Sequence, residues 1–94
     1  GVSKPFRTAV KAEIDHFVTE LADDLGRFAD EQNKPLAEAR IVAEAMVTLV
    51  FNQGAEALDA TPKEREELKQ KLKTELRMIL VGSQTLAQWQ QGLD

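Results

Sequence analysis

The chain has no cysteine and no tyrosine, and aromatic residues make up only 5% of its 94 positions. Without cysteine, neither a disulfide framework nor a thiolate zinc site can form. Glycine and proline are also scarce, with five and three residues, and most of them lie at or near the ends of periodic segments. The length fits one small domain, 1–94, and is too short for a two-domain enzyme.

Long apolar runs are absent as well. The longest, 78–81, is far shorter than the roughly 18 residues that a membrane span needs. There is no charged-then-apolar leader with a small-residue cleavage site. We therefore expect a soluble, cytoplasmic protein with no membrane partner. The 12 basic residues are outnumbered by 16 acidic ones and form no block, which argues against nucleic-acid binding by this chain alone.

Three helices account for the hydrophobic pattern. The first is predicted over 4–31, with Ser3 as N-cap and Pro5 in the first turn. Its apolar residues recur mostly at steps of three and four, within a stripe roughly 120° wide. They are Phe6, Val10, Ile14, Phe17, Val18, Leu21, Leu25 and Phe28. The polar segment 30–34 is predicted to be a loop.

The second helix is predicted from Pro35 or Leu36 to Leu58, and its centre, 41–51, is apolar in nearly every direction around the axis. A helix with this pattern is buried on most sides. Two flanking helices cover only part of it. The rest must be covered by missing parts of the same polypeptide, a second copy of the chain, or a ligand. A four-helix bundle built from the second and third helices of two copies would cover much of it.

The third helix begins with the strongest local signal in the chain. In Thr61-Pro62-Lys63-Glu64, threonine takes the N-cap, proline the first helical position and glutamate the third, which is a capping box. The following apolar stripe consists of Leu68, Leu72, Leu76, Ile79 and Leu86. We expect the tail, 88–94, to fray. The mixed-sign run 63–73 is typical of a solvated face.

Few residues suggest catalysis. Glu13-x-x-His16, together with Glu20, has the spacing of di-iron bundle ligands, yet these side chains lie off the apolar stripe and a second such motif is missing. A solvated face with a His16–Glu20 pair is the favoured interpretation. Ser3 and Ser83 stand near a helix end and in the chain tail, so no nucleophile, base and orienting group come together. We expect neither an enzyme nor a cofactor.

Other residues allow two interpretations each. Phe17, Met46, Phe51 and Met78 can line a cavity for an apolar ligand, although ordinary core packing is the commoner role of such side chains. Arg40 and Arg77 adjoin apolar residues and can meet an anionic group of a ligand. A surface ion pair is their commoner fate.

Several stretches resemble the C-terminal half of TetR-type transcriptional repressors, in particular those that control unsaturated fatty-acid synthesis in bacteria. The first is carried by Phe6-Arg7, Ala9-Val10, Glu13-Ile14, His16-Phe17 and Glu20-Leu21-Ala22-Asp23. The second is more specific: Ala43-Glu44-Ala45-Met46-Val47-Thr48-Leu49-Val50-Phe51, then Gly54-Ala55-Glu56-Ala57-Leu58-Asp59. The third is Glu75-Leu76-Arg77-Met78-Ile79. Together they cover about 5–82.

The resemblance implies an all-α fold of three long antiparallel helices, the last three of a ligand-sensing and dimerisation domain. An N-terminal helix-turn-helix domain, outside this chain, would bind DNA. The second and third helices would pair with their copies in a homodimeric four-helix bundle. The interface residues that we assign on this basis are Ala45, Phe51, Gly54, Leu58, Leu72, Leu76 and Ile79.

The same resemblance implies a sensor of long-chain acyl thioesters, with the acyl chain lying among helices that include the first and second ones. The expected ligand-binding residues are Val10, Ile14, Phe17, Met46 and Val50. Ligand occupancy would tilt the helices that lead to the DNA-binding domains and so change the separation of the recognition helices. Two alternatives stay open: a helical oligomerisation module without a ligand, and a small helical metal or redox protein.

Overall fold

The computed structural model describes residue 1 and residues 3–93, and within this part of the chain all regular structure is helical. The elements are α1 (Lys4–Glu31), α2 (Ala39–Ala57) and α3 (Pro62–Leu93). The prediction of three helices and an all-α fold is therefore confirmed, and the bounds of α1 match those expected. Asp94, part of the tail expected to fray, lies outside the described residues.

The start of α1 is held by its predicted cap. Ser3 has extended backbone angles, and its side chain accepts a hydrogen bond from the Phe6 amide at 3.3 Å. At the other end, the Gln32 amide donates to the Phe28 carbonyl at 3.0 Å and the Lys34 amide to the Ala29 carbonyl at 2.9 Å. These bonds satisfy carbonyls that the last helical turn leaves open.

The second helix begins later than the sequence predicts, at Ala39 rather than at Pro35 or Leu36. Glu38 adopts a left-handed conformation with φ 54°, which no α-helix interior accommodates. The preceding loop is held against α3 instead. The Ala37 amide donates to the Ser83 carbonyl at 3.2 Å, and the Ser83 hydroxyl donates to the Ala37 carbonyl at 2.5 Å. Because these bonds join residues that are far apart in the sequence, the local sequence pattern could not reveal them.

The third helix opens with the capping box, which is confirmed. The Thr61 amide donates to Glu64 Oε1 at 2.9 Å, and the Glu64 amide donates to Thr61 Oγ1 at 3.2 Å. Arg65 Nε also donates to the Ala57 carbonyl at 3.0 Å, which closes the turn between α2 and α3. The expectation of a frayed tail is wrong up to Leu93, where the helix ends. Glutamine, leucine and alanine there are good helix formers.

The three helices lie in an open layer, with α2 in the middle. Two pairs at each boundary show that consecutive helices run in opposite directions. Arg40, early in α2, bonds Thr19, whereas Phe51, late in α2, lines a cavity with Val10, earlier in α1. Gln53 bonds Glu75, whereas Ala57, later in α2, accepts a hydrogen bond from Arg65, earlier in α3. Among the described residues, no Cα of α1 approaches a Cα of α3 within 8 Å. The resulting shape is flat, with extents of 49 × 37 × 21 Å.

The core is correspondingly small. Val18, Ala43 and Val47 form its buried cluster, against which Ile14, Leu21, Ala22 and Leu25 pack. Twelve large apolar side chains remain exposed in this layer, including Ile41, Val50 and Phe51 of α2. The expectation that two neighbours cover only part of the middle helix is confirmed. No helix in the described residues is both long and apolar enough to traverse a lipid bilayer.

Candidate functional site

An apolar groove lies along α1, beside its contact with α2. The apolar stripe of α1 is wider than the strip that α2 covers, so Val18 is buried while Phe6, Val10 and Phe17 stay exposed. Side chains that α2 leaves uncovered form one wall of the groove. Their position follows from the three- and four-residue spacing, which places all of them on one side of the helix.

Two adjoining cavities make up this groove. The first, of about 410 Å³, is lined by Ala9, Val10, Glu13, Ile14, Phe17 and Phe51. The second, of about 280 Å³, is lined by Phe17, Leu21, Met46, Val47, Val50, Phe51 and Leu76. Phe17 and Phe51 line both, so the two cavities adjoin each other. We call them together the α1–α2 groove. The individual volumes are at or near the lower end of the range of small-molecule sites, about 300 to 1,000 Å³.

All five expected ligand-binding residues line the α1–α2 groove: Val10, Ile14, Phe17, Met46 and Val50. The sequence analysis did not name Leu21 or Val47 as ligand contacts. It named Phe51 both as a possible cavity residue and as a dimer-interface residue, and it assigned Leu76 to the dimer interface alone. Leu21 follows Phe17 by four residues and Val47 precedes Val50 by three, so the helical pattern contained a signal for both. Leu76 belongs to α3, and its approach to Phe17 depends on packing that no local pattern encodes.

The polarity of the groove is low throughout. No polar side chain lines the second cavity, and Glu13 lines the first almost entirely with apolar atoms. A wholly apolar cavity can hold a hydrocarbon chain but offers nothing to a charged group. The groove can therefore take an apolar tail, with any polar part of a ligand lying outside it.

A third cavity continues the same side of α1 by one further turn. It has about 230 Å³ and is lined by Leu25, Phe28, Ala29, Gln32, Lys34, Leu36, Leu80 and Gln84. The distance along α1 from Val10 to Phe28 is roughly 27 Å at 1.5 Å per residue. This side of the layer thus presents apolar surface over most of the length of α1.

Four of the seven residues expected at a dimer interface are divided between two surfaces, and the other three line neither. Phe51 and Leu76 line the α1–α2 groove, whereas Ala45 and Ile79 line a cavity of about 340 Å³ on the outer side of α2 and α3. Leu72 is half-buried. Gly54 and Leu58 are exposed in the last turn of α2 and at its C-cap. A Cβ on Gly54 would have no neighbouring atom within 4 Å.

The cavity on the outer side belongs to a second apolar surface. Ile41, Met78, Gly82 and Leu86 line it, and Trp89 follows one turn later on the same face of α3. Met78 and Trp89 are 69% and 65% exposed. We call these five residues the outer α2–α3 face. The sequence analysis named none of them as interface residues, because the all-round apolar pattern of 41–51 did not show which side α3 covers.

The side chains considered for chemistry lie apart: His16, Glu20 and Arg40 are exposed, whereas Ser83, expected in the chain tail, is buried within α3 and bonded to the Ala37 carbonyl. His16 Nε2 lies 2.9 Å from Glu20 Oε1 on an exposed face, which confirms the expected pair. In the part of the chain that the structure describes, no group of three or more histidine and carboxylate side chains is placed to hold a metal ion. Arg40 Nε lies 3.2 Å from Glu44 Oε1. This is the surface ion pair that was the commoner alternative for that residue.

Carboxylates dominate a further depression at the turn between α2 and α3. This cavity, of about 470 Å³, is lined by Glu56, Asp59, Ala60, Glu64, Glu67, Leu68 and Lys71. Hydrogen bonds from the Thr61 backbone and side chain hold the pKa of Glu64 below its ordinary value. Because four carboxylates face water here, the depression does not suit an acyl chain.

In a comparison with known proteins, no family model matches the chain, and no solved structure matches it.

Proposed function

We propose that this chain is the effector-binding and dimerisation part of a TetR-type transcriptional repressor of fatty-acid biosynthesis genes, and that it senses long-chain acyl thioesters. The α1–α2 groove is the observation that carries the proposal. Five residues chosen from sequence as acyl contacts lie together along it, although they come from two helices. Burying a hydrocarbon chain against them gains roughly 25 cal/mol per Å² of apolar surface removed from water.

A matched pair of valines tests the groove. Val50 lines it and is 48% exposed, whereas Val81 on α3 is 50% exposed and lines no cavity described above. We expect Val50→Asp to weaken palmitoyl-CoA binding by at least about tenfold, because a carboxylate must be desolvated against the acyl chain. Val81→Asp should change it less than about twofold. Isothermal titration calorimetry measures both. Absent binding by the wild-type chain, or equal weakening by the two variants, would contradict the proposal.

Dimerisation through the outer α2–α3 face is the second half of the proposal. Soluble monomers rarely leave a contiguous apolar patch of this kind uncovered, and a two-fold axis would cover it on both copies at once. Ile41→Glu should convert a sedimenting dimer to monomer, because it places a charge within the face. Thr8→Glu adds the same charge at an exposed position of α1, a helix that contributes no residue to this face, and should leave the dimer intact. A wild-type monomer at micromolar concentration would refute this half.

Regulation requires the longer protein. With a helix-turn-helix domain attached, saturated and unsaturated acyl thioesters should change operator affinity to different extents, since a ligand shifts a conformational equilibrium only by its differential affinity for the two states. Identical operator affinity with every ligand would rule out a sensor. A dimer that shows no thermal shift with acyl thioesters would instead support the oligomerisation module, which the outer α2–α3 face also fits.

A further inference from the structure

The positive charge of the chain is unevenly distributed. Residues 1–12 contain Lys4, Arg7 and Lys11 and no carboxylate, although the whole chain has a net charge of −4. The first turn of α1 likewise contains no acidic residue. The partial positive charge of a helix N-terminus therefore adds to the three side chains instead of being offset.

These cations form a row on one face of α1 that leads into the α1–α2 groove. Successive members are three and four residues apart, which places them on the same side of the helix. Ile14, which lines the groove, follows Lys11 by three residues and Arg7 by seven, close to two full turns. Lys11, Arg7 and Lys4 thus lie about 4.5, 10 and 15 Å along the axis beyond Ile14.

The row is accessible, and its members form no ion pair with another described residue. All three side chains are exposed, and the ion pairs between described residues involve other groups. Glu13 is the nearest carboxylate in the groove lining, but it lies roughly 160° around the helix from Lys11. The open end of the groove is therefore positive on one side, directly beside its apolar wall.

We propose that Lys4, Arg7 and Lys11 form an anion-binding row that takes the phosphate groups of the acyl carrier while the acyl chain occupies the α1–α2 groove. This inference rests on the proposed function. A guanidinium binds phosphate oxygens in a bidentate manner, and ammonium groups act as mobile point charges along an extended carrier. The row makes the site selective for phosphorylated thioesters over neutral thioesters with the same acyl chain.

Three ligands with one acyl chain separate the contributions: palmitoyl-CoA, palmitoyl-phosphopantetheine and the phosphate-free palmitoyl-pantetheine. The test variant combines Lys4→Gln, Arg7→Gln and Lys11→Gln. Its control combines Lys63→Gln, Lys69→Gln and Lys73→Gln on α3, which remove the same charge from an exposed mixed-sign surface. Calorimetric affinities are compared at low and moderate salt, and circular dichroism verifies the helix content of each protein.

We expect the test variant to lose about tenfold or more in affinity for the phosphorylated ligands, most for palmitoyl-CoA, and less than about twofold for palmitoyl-pantetheine. The control should lose less than about twofold for every ligand. Salt should weaken phosphorylated ligands only where the row is intact. Equal losses for all three ligands, or none, would overturn the row while leaving the groove standing. If the wild-type chain binds none of them, the proposed function fails together with the row.

Discussion

Gln53 of α2 donates a hydrogen bond from Nε2 to Oε1 of Glu75 on α3, with the two atoms 2.9 Å apart. Gln53 is buried, with only 8% of its surface exposed, whereas Glu75 is half-buried. Oε1 of Gln53 is buried and has no hydrogen-bond partner in the described residues. The pair therefore joins two helices at the cost of one unsatisfied acceptor, which amounts to about 1–3 kcal/mol for a group of this kind.

Gln53→Met should leave the free energy of unfolding within about 1 kcal/mol of the wild type, because it removes the unsatisfied acceptor while keeping a side chain of similar length. Gln53→Ala should lower it by about 2 kcal/mol, since it also leaves a space between α2 and α3. Urea denaturation at one fixed protein concentration measures both. Equal destabilisation by the two variants would show instead that the bond to Glu75 holds the helices together.

Ala43 is the most buried residue of the small core, with no exposed surface. Ala43→Leu should lower the free energy of unfolding by about 1–3 kcal/mol, because the added atoms must displace Val18 or Val47. Ala55→Leu, at an exposed position of the same helix, should change it by less than about 0.5 kcal/mol. Thermal or urea unfolding distinguishes them. A tolerated leucine at position 43 would mean that α1 and α2 can separate without cost.

Helix content was readily predicted from the sequence because its causes are local. The Ser3 cap, the Thr61–Glu64 capping box and the stripe spacing each act within a few residues. The start of α2 was mispredicted for the opposite reason. It depends on the bonds between Ala37 and Ser83, which join segments distant in the chain.

In the candidate site too, the features with local causes were predicted and those that depend on packing between helices were not. Val10, Ile14 and Phe17 share one face of α1, and Met46 and Val50 share one face of α2, so periodicity places each set. The separation between groove and outer face depends on which side of α2 each neighbour covers. Because 41–51 is apolar nearly all round, the pattern could not assign Phe51 to one surface, and it stood both among the possible cavity residues and in the interface that the resemblance implied. Leu76 reaches the groove only through the packing of α3, which no local pattern encodes.

Glu38 offers a test of backbone strain, since its φ of 54° is unfavourable for a residue with a Cβ and its side chain makes no capping bond. Glu38→Gly should raise the free energy of unfolding by about 0.5–1 kcal/mol. Glycine adopts the left-handed conformation without steric cost, and this gain exceeds the loss from the greater conformational entropy of the unfolded chain. Glu56→Gly, in the last turns of α2, should lower it by up to about 1 kcal/mol. Destabilisation by Glu38→Gly would show that the carboxylate contributes to the loop.

The Thr61–Glu64 capping box should make stability depend on pH. Hydrogen bonds from the Thr61 amide and hydroxyl favour the ionised carboxylate and lower the pKa of Glu64 in the folded chain. A group with a lowered folded pKa contributes stability that is fully present above its unfolded pKa and disappears as the pH falls through the folded pKa. The contribution of Glu64 should therefore be constant near neutrality and vanish in acid.

Glu64→Gln isolates this effect, because glutamine keeps the size of the side chain and cannot titrate. The difference in unfolding free energy between wild type and Glu64→Gln should be largest near pH 6 and should shrink towards about pH 3. Glu67→Gln, which removes the same charge from an exposed position one turn further along α3, should give a flatter difference over this range. If the two differences were parallel, the acid sensitivity would reflect net charge alone, and the hydrogen bonds of the capping box would add nothing to it.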